Sequence, residues 1–268
     1  MLKHLKLICL LLLVTLFTVA CSSNEGETAL KETNNKEKEP VELTISAAAS
    51  LQDAMSEIDE MYAEQHPETK LTFNFGGSGS LQQQISQGAP VDLFFSAAED
   101  KFDILVEEGN IAKEDGVDLL GNSLVLITPA DEENLTGFTD LTKKEVEQIS
   151  LGTPESVPAG AYGVESLENM GLWNELEAKT VYAKDVRQVL SYVETGNVNA
   201  GIVYKTDALA SDKVEIIDTA GADTHTPIIY PVGIVKDTKN YDAAKEFYTF
   251  LQSDEALKVF EEYGFTAQ

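Results

Sequence analysis

The sequence predicts an α/β protein with mostly parallel sheets, and three observations lead to that class. From residue 41 onward, short β-like runs alternate with amphipathic helical patterns, the order expected of strand–helix–strand units. The body 41–268 exceeds the commonest domain size, which favours two lobes with a cleft between them. Several strands end in turns of tiny or glycine-rich residues just before a helix, where open α/β sheets hold ligands.

The elements follow in order. Residues 41–46 read as a strand, and Leu51, Ala54, Met55, Ile58, Met61 and Tyr62 recur at helical spacing until His66-Pro67 closes the helix. A strand at 71–75, a turn at 76–80, a short helix ending at Gly88, a buried strand at 91–96 and a helix at 101–108 come next. Further strands are predicted at 124–128, 149–152, 180–183, 200–204, 214–217 and 228–235. Further helices are predicted at 161–170, 186–194, 241–251 and 255–263.

Composition excludes several functions. The chain has 268 residues, with 46 acidic against 19 basic side chains and a formal charge of -27, and its one arginine is Arg187. Phosphate backbones are held by clustered cations, so nucleic acid is excluded as a partner. Both cysteines, Cys9 and Cys21, lie near the N-terminus, so the body can form no disulfide, thiolate metal site or cysteine nucleophile. Only His66 and His225 occur beyond the leader, both expected at the surface, which leaves histidine-based metal chemistry poorly supplied.

Residues 1–20 carry Lys3, His4 and Lys6 ahead of an apolar run too short to span a bilayer comfortably, the layout of a secretory signal. Thr18-Val19-Ala20-Cys21 resembles a bacterial lipoprotein cleavage site, with Cys21 as the lipid-carrying first residue of the mature protein. An anchoring helix or an ordinary signal is the alternative. Residues 22–40 contain only Ala29 and Leu30 as apolar side chains, so 21–40 reads as a lipidated cysteine and a disordered tether reaching ~25 Å.

Two strand-ending turns stand out. Ala47-Ala48-Ala49-Ser50 lets backbone approach a ligand closely, with Ser50 either a helix N-cap or a ligand contact. Gly76-Gly77-Ser78-Gly79-Ser80 is either a backbone nest for an anion or a tight turn. A nucleophile elbow is out of register because position 80 is Ser80, and a dinucleotide fingerprint fails at Gln82. Neither histidine is placed to serve a serine triad.

AAASLQDAM (47–55), FGGSGSLQQQI (75–85), GAPVDLFFSA (88–97), LLGNSLVLITP (119–129), VPAGAYG (157–163), KDVRQVL (184–190), AGIVY (200–204) and YGFT (263–266) jointly resemble the periplasmic molybdate-binding proteins, the substrate-binding components of ABC importers. The resemblance covers nearly all of 41–268. It implies a type II periplasmic-binding-protein fold, two α/β lobes around a ligand cleft with two chain crossings. Lobe 1 would comprise 41–122 and 231–268, and lobe 2 would comprise 123–230. Matched motif by motif, it implies that molybdate, and with it tungstate, is held by Ser50, Ser78, Ala159, Val186 and Tyr204. It further implies an ABC permease as partner, membrane attachment through the lipid anchor alone, a monomer outside the cytoplasm, and neither cofactor nor catalysis.

These five residues make chemical sense as a set. Ser50, Ser78 and Tyr204 donate through hydroxyls, and Ala159 and Val186 can offer only backbone N–H groups, so every donor is neutral. Asp185 fits as N-cap of the helix starting at Val186, and Pro158-Ala159-Gly160 is expected just ahead of the helix from Ala161. Arg187 reads as a surface or interlobe ion pair rather than a ligand, and Ser80 has a weaker claim than Ser78. Two rivals stand beside this reading: a binder of another tetrahedral oxyanion such as sulfate, and an α/β enzyme using Asp53, Asp92 or Glu99.

Overall fold

The computed structural model describes residues 40–132 and 134–268; the leader 1–20, Cys21 and tether residues 22–39 lie outside the described residues. β1 (Val41–Ala48) runs parallel to β2 (Thr69–Gly76) along its whole length, and to β3 (Leu93–Phe95) on its other side. Between β1 and β2, a 3-10 turn (Ala49–Leu51) leads into α1 (Gln52–Gln65). α1 buries Ala54, Met55, Ile58 and Tyr62, the face that the helical spacing marked out. It stops at His66, where Pro67 forbids continuation. α2 (Ser78–Ser86) and α3 (Glu99–Glu107) flank β3.

β4 (Ile111–Gly121) follows, and only residues 122 and 123 separate it from β5 (Leu124–Pro129) in the other sheet. The second sheet continues with β6 (Ile149–Gly152), α4 (Pro158–Asn169), the short α5 (Trp173–Leu176), β7 (Thr180–Ala183), α6 (Val186–Glu194), β8 (Ala200–Tyr204), the short α7 (Lys205–Leu209) and β9 (Val214–Thr219). The chain then returns through β10 (Ile229–Val235), α8 (Tyr241–Phe250), α9 (Asp254–Glu262) and β11 (Thr266–Ala267). The strand orders are β11-β4-β10-β3-β1-β2 and β7-β6-β8-β5-β9.

The sheets are mixed rather than mostly parallel, which corrects the expectation from strand–helix alternation. β10 is antiparallel to β3 and β4, and β5 is antiparallel to β8 and β9. Parallel neighbours need a crossover of a dozen or more residues. β5 is entered directly from β4, with no helix to bring the chain back, so it runs against β8. β10, the strand by which the chain re-enters the first sheet, likewise runs against its neighbours.

Two further expectations are corrected. The glycine-rich segment is not wholly a turn, since α2 starts at Ser78, and α4 starts at Pro158, which puts Ala159 inside its first turn. Proline is well suited to that first position because its missing N–H would have no helical partner. A continuous apolar core runs from Leu43 and Ile45 of β1 through Val203 of β8 to Tyr230 of β10, with a smaller cluster around Phe94, Phe102 and Leu105.

Candidate functional site

Ser50, Ser78, Ala159, Val186 and Tyr204 line one small cavity, together with Ala48, Ala49, Gly76, Gly77, Ala97, Val157 and Pro158. Strand and helix ends of both sheets meet there. The free space is at most about 190 Å³, open solvent at its mouth included. That is room for one compact ion, not for a sugar or a peptide. The five residues are themselves buried: Ser78 is 0% exposed and Val186, the most exposed of the five, 4%.

Each donor has a definite origin. Ser78, Ala159 and Val186 occupy the first turns of α2, α4 and α6, where backbone N–H groups have no intrahelical partner and the helix dipole adds positive potential. Asp185 caps α6 as expected, accepting from the Gln188 N–H at 2.8 Å, so its carboxylate is turned to its own helix. Ser50 does not cap α1. It sits in the 3-10 turn, makes no capping bond, and places its Oγ 2.9 Å from the Tyr230 hydroxyl. Ser78 Oγ accepts from the Ala97 N–H at 2.9 Å. The Tyr204 hydroxyl donates to the Ala97 carbonyl at a long 3.4 Å, and burial pushes its ionisation well above the ordinary value of 10, so it stays a donor. Ser80 lies two residues on in α2, outside the lining.

Glycine at position 77 is explained by close approach, not by turn geometry. Its φ of -67 is open to any residue, but a Cβ there would lie 2.6 Å from the Ser156 carbonyl oxygen and 3.2 Å from that of Lys184, both in the second-sheet segment. The neighbouring Gly79 N–H donates to the Ser156 carbonyl at 3.0 Å. Bare backbone is what lets these two parts meet at the cavity.

No charged side chain belongs to the lining. Arg187 bridges the sheets behind it, with Nη2 2.6 Å from Asp53 Oδ2 of α1 and Nε 2.8 Å from Asp207 Oδ1 of α7. Burial pushes the Asp207 carboxyl up to about 7, against the pull of Arg187. Asp92 is committed to structure, accepting from the Thr44 N–H at 2.7 Å and from the Thr238 hydroxyl. Burial raises the Glu99 carboxyl, and neither Asp53, Asp92 nor Glu99 reaches the cavity. His66 lies partly exposed at the surface, as expected of it. It stacks on Tyr62 at 4.3 Å, with Nδ1 3.5 Å from Glu246 and 3.9 Å from Glu68. Among the described residues this trio is the one group with metal-ligand spacing, and it shares no residue with the cavity. Sequence reasoning gave no role to Tyr230, Ala97 or Asn122: Tyr230 and the Ala97 backbone bond the Ser50, Ser78 and Tyr204 hydroxyls and Asn122 bonds Tyr230, and although Ala97 and Asn122 fall within two of the motif segments, nothing local marks these contacts.

Comparison with known proteins adds lineage to geometry. The sequence model of the bacterial extracellular solute-binding proteins matches residues 43–266. A candidate ABC transporter substrate-binding lipoprotein of Bacillus subtilis, YvgL, is 60% identical over 94% of this chain and 94% of its own. The molybdate-binding protein ModA of Haemophilus influenzae is 39% identical over 84% of this chain and 90% of its own. Among solved structures, the substrate-binding domain of a candidate molybdenum ABC transporter from Clostridium difficile is 48% identical, with a TM-score of 0.66 over 84% of this chain and 98% of that one.

Proposed function

Because the chain belongs to the bacterial extracellular solute-binding proteins, we propose that it captures molybdate in the cavity between its two sheets and delivers it to an ABC permease. The observation that carries this reading is the lining: neutral donors from both sheets around room for one ion, with no charged side chain among them. Molybdate-binding relatives at 39% and 36% identity support the choice of ion. Ser50, Ser78, Ala159, Val186 and Tyr204 are the proposed ligands, with tungstate accepted equally because it shares shape and charge.

Binding by dipoles alone suits a dianion that must later be released. Three helix N-termini each contribute at most about half a unit of positive charge, fixed in place before the ion arrives. The overall charge of -27 opposes entry only weakly, since at physiological salt the Debye length is about 8 Å. A ring sized for the larger oxyanion leaves sulfate with stretched bonds, and each unmet buried donor costs about 1–3 kcal/mol, roughly one to two decades in affinity. Hydrogen phosphate also needs an acceptor for its proton, and no carboxylate belongs to the lining.

The two sheets are the frames of two lobes, 41–122 with 231–268 and 123–230, that close over the ion. An ion bonded from both sides favours the closed population. The protein is a monomeric binder, not an enzyme, tethered outside the cell by lipid on Cys21; the lipoprotein name of its Bacillus relative supports the anchor. A thermal melt tests the ligand: molybdate at ~1,000 times its dissociation constant should add about 4 kcal/mol of stability. Calorimetric titration with molybdate, tungstate, sulfate and hydrogen phosphate should rank the first two together and far ahead. Equal affinity for sulfate would overturn the assignment.

A further inference from the structure

We infer that Asn122 and Tyr230 fix the direction of the Ser50 hydrogen bond, making that hydroxyl a donor into the cavity and selecting for an oxyanion without a proton. This rests on the proposed oxyanion function and adds the groups that set its specificity.

The direction can be traced bond by bond. The Ser123 N–H can only donate, and it meets Asn122 Oδ1 at 2.8 Å, which settles which end of that amide is oxygen. Asn122 Nδ2 therefore faces the Thr206 hydroxyl at 3.0 Å and the Tyr230 hydroxyl at 3.2 Å, and donates to both. The Tyr230 oxygen accepts there, and its other hydrogen-bond partner among the described residues is Ser50 Oγ at 2.9 Å, a contact in which either hydroxyl can donate and to which we assign the phenol proton. The Tyr230 ring is fully buried, so it keeps that proton. Ser50 Oγ thus accepts from behind, and its own O–H is free to point into the cavity that it lines. Ser78 reaches the same state through the Ala97 N–H. The Ser50 arrangement differs in being built from side chains that can be replaced.

Asn122→Asp reverses the chain. A carboxylate can only accept, so it takes the Tyr230 proton, the phenol oxygen takes the Ser50 proton, and Ser50 turns a lone pair toward the ion. At mildly alkaline pH molybdate and hydrogen phosphate are both dianions, so the added charge penalises them equally. Only hydrogen phosphate has a proton to offer Ser50. The test is calorimetric titration of both ions against the wild type, Asn122→Asp and Tyr230→Phe, with ligand-free melts as the folding check. The preference for molybdate over hydrogen phosphate should fall at least ~10-fold in Asn122→Asp. In Tyr230→Phe, whose Ser50 hydroxyl is merely freed, molybdate affinity should fall ~5-fold and the preference should shift the same way by less. An unchanged preference in a folded Asn122→Asp, whatever the common loss of affinity, overturns the inference; if that variant does not fold, an unchanged preference in Tyr230→Phe does so. A wild type that binds no molybdate refutes the functional reading itself before any variant is compared.

Discussion

In the proposed site, the wall of the cavity built on the first sheet offers hydroxyls, those of Ser50 and Ser78, whereas the wall built on the second offers the backbone N–H groups of Ala159 and Val186 and the Tyr204 phenol. Hydroxyls rotate, so the first wall needs Tyr230 and the Ala97 N–H to orient them. The amides of α4 and α6 are held by their helices and need no such support. The first wall is therefore sensitive to side-chain chemistry, and the second chiefly to backbone.

The largest expected effect comes from preventing the walls from meeting. Gly77→Ala would set a methyl against the Ser156 and Lys184 carbonyls, and molybdate affinity should drop by about two decades while the ligand-free melt stays nearly unchanged. Ser78→Ala comes next, because it deletes one donor and leaves the buried Ala97 N–H without its partner; titration should show a loss of ~10- to 100-fold. The second wall is tested by a pair at one position. Val186→Pro keeps the helix, since proline fits its first position, but removes the N–H, and should cost ~10-fold or more. Val186→Ala should stay within about threefold. Equal losses for those two would show that the Val186 side chain, not its amide, matters.

Smaller effects belong to the ion pair behind the cavity. Asp53→Asn removes the arm of Arg187 that reaches the first sheet, and stopped-flow release of molybdate should quicken by a few-fold with little change in capture rate. Asp207 gives a pH signature. Burial raises its carboxyl from 3.8 to about 7, so the folded protein holds a proton that the unfolded chain releases. That contribution is complete below about pH 4 and is lost as pH rises through 7. The melting temperature of the wild type should therefore fall relative to Asp207→Asn across that window, and a constant difference would mean that Arg187 keeps the carboxylate ionised throughout.

Much of the second half was legible because its signals are local. β6, β7, β8 and α6 carry compact apolar runs or a capped amphipathic pattern, and they occupy the residues their patterns mark. β4 escaped notice because Lys113, Glu114, Asp115 and Gly116 break any alternation; it exists because β10 and β11 pair with its backbone. The direction of β5 and β10 was equally hidden, since strand–helix alternation says nothing about a chain that passes straight between sheets. At the site, tiny residues and the family motifs pointed to the segments that gather around the cavity. What orients them did not show: Ser50 and Tyr230 stand 180 residues apart, and the serine's position before a helix suggested a cap instead.

The two passages between the sheets lie side by side. Gly121 pairs with Ile229 at their edge, and the Asn122 N–H meets the Ile228 carbonyl at 3.3 Å. Two strands of chain pinned together leave one axis, like a door on a single hinge post. Under the proposed closure, displacement then grows with distance from that post, so the far rims travel most and the post hardly moves. A membrane partner that distinguishes loaded from empty protein by shape gains its leverage by gripping those rims on both sides at once.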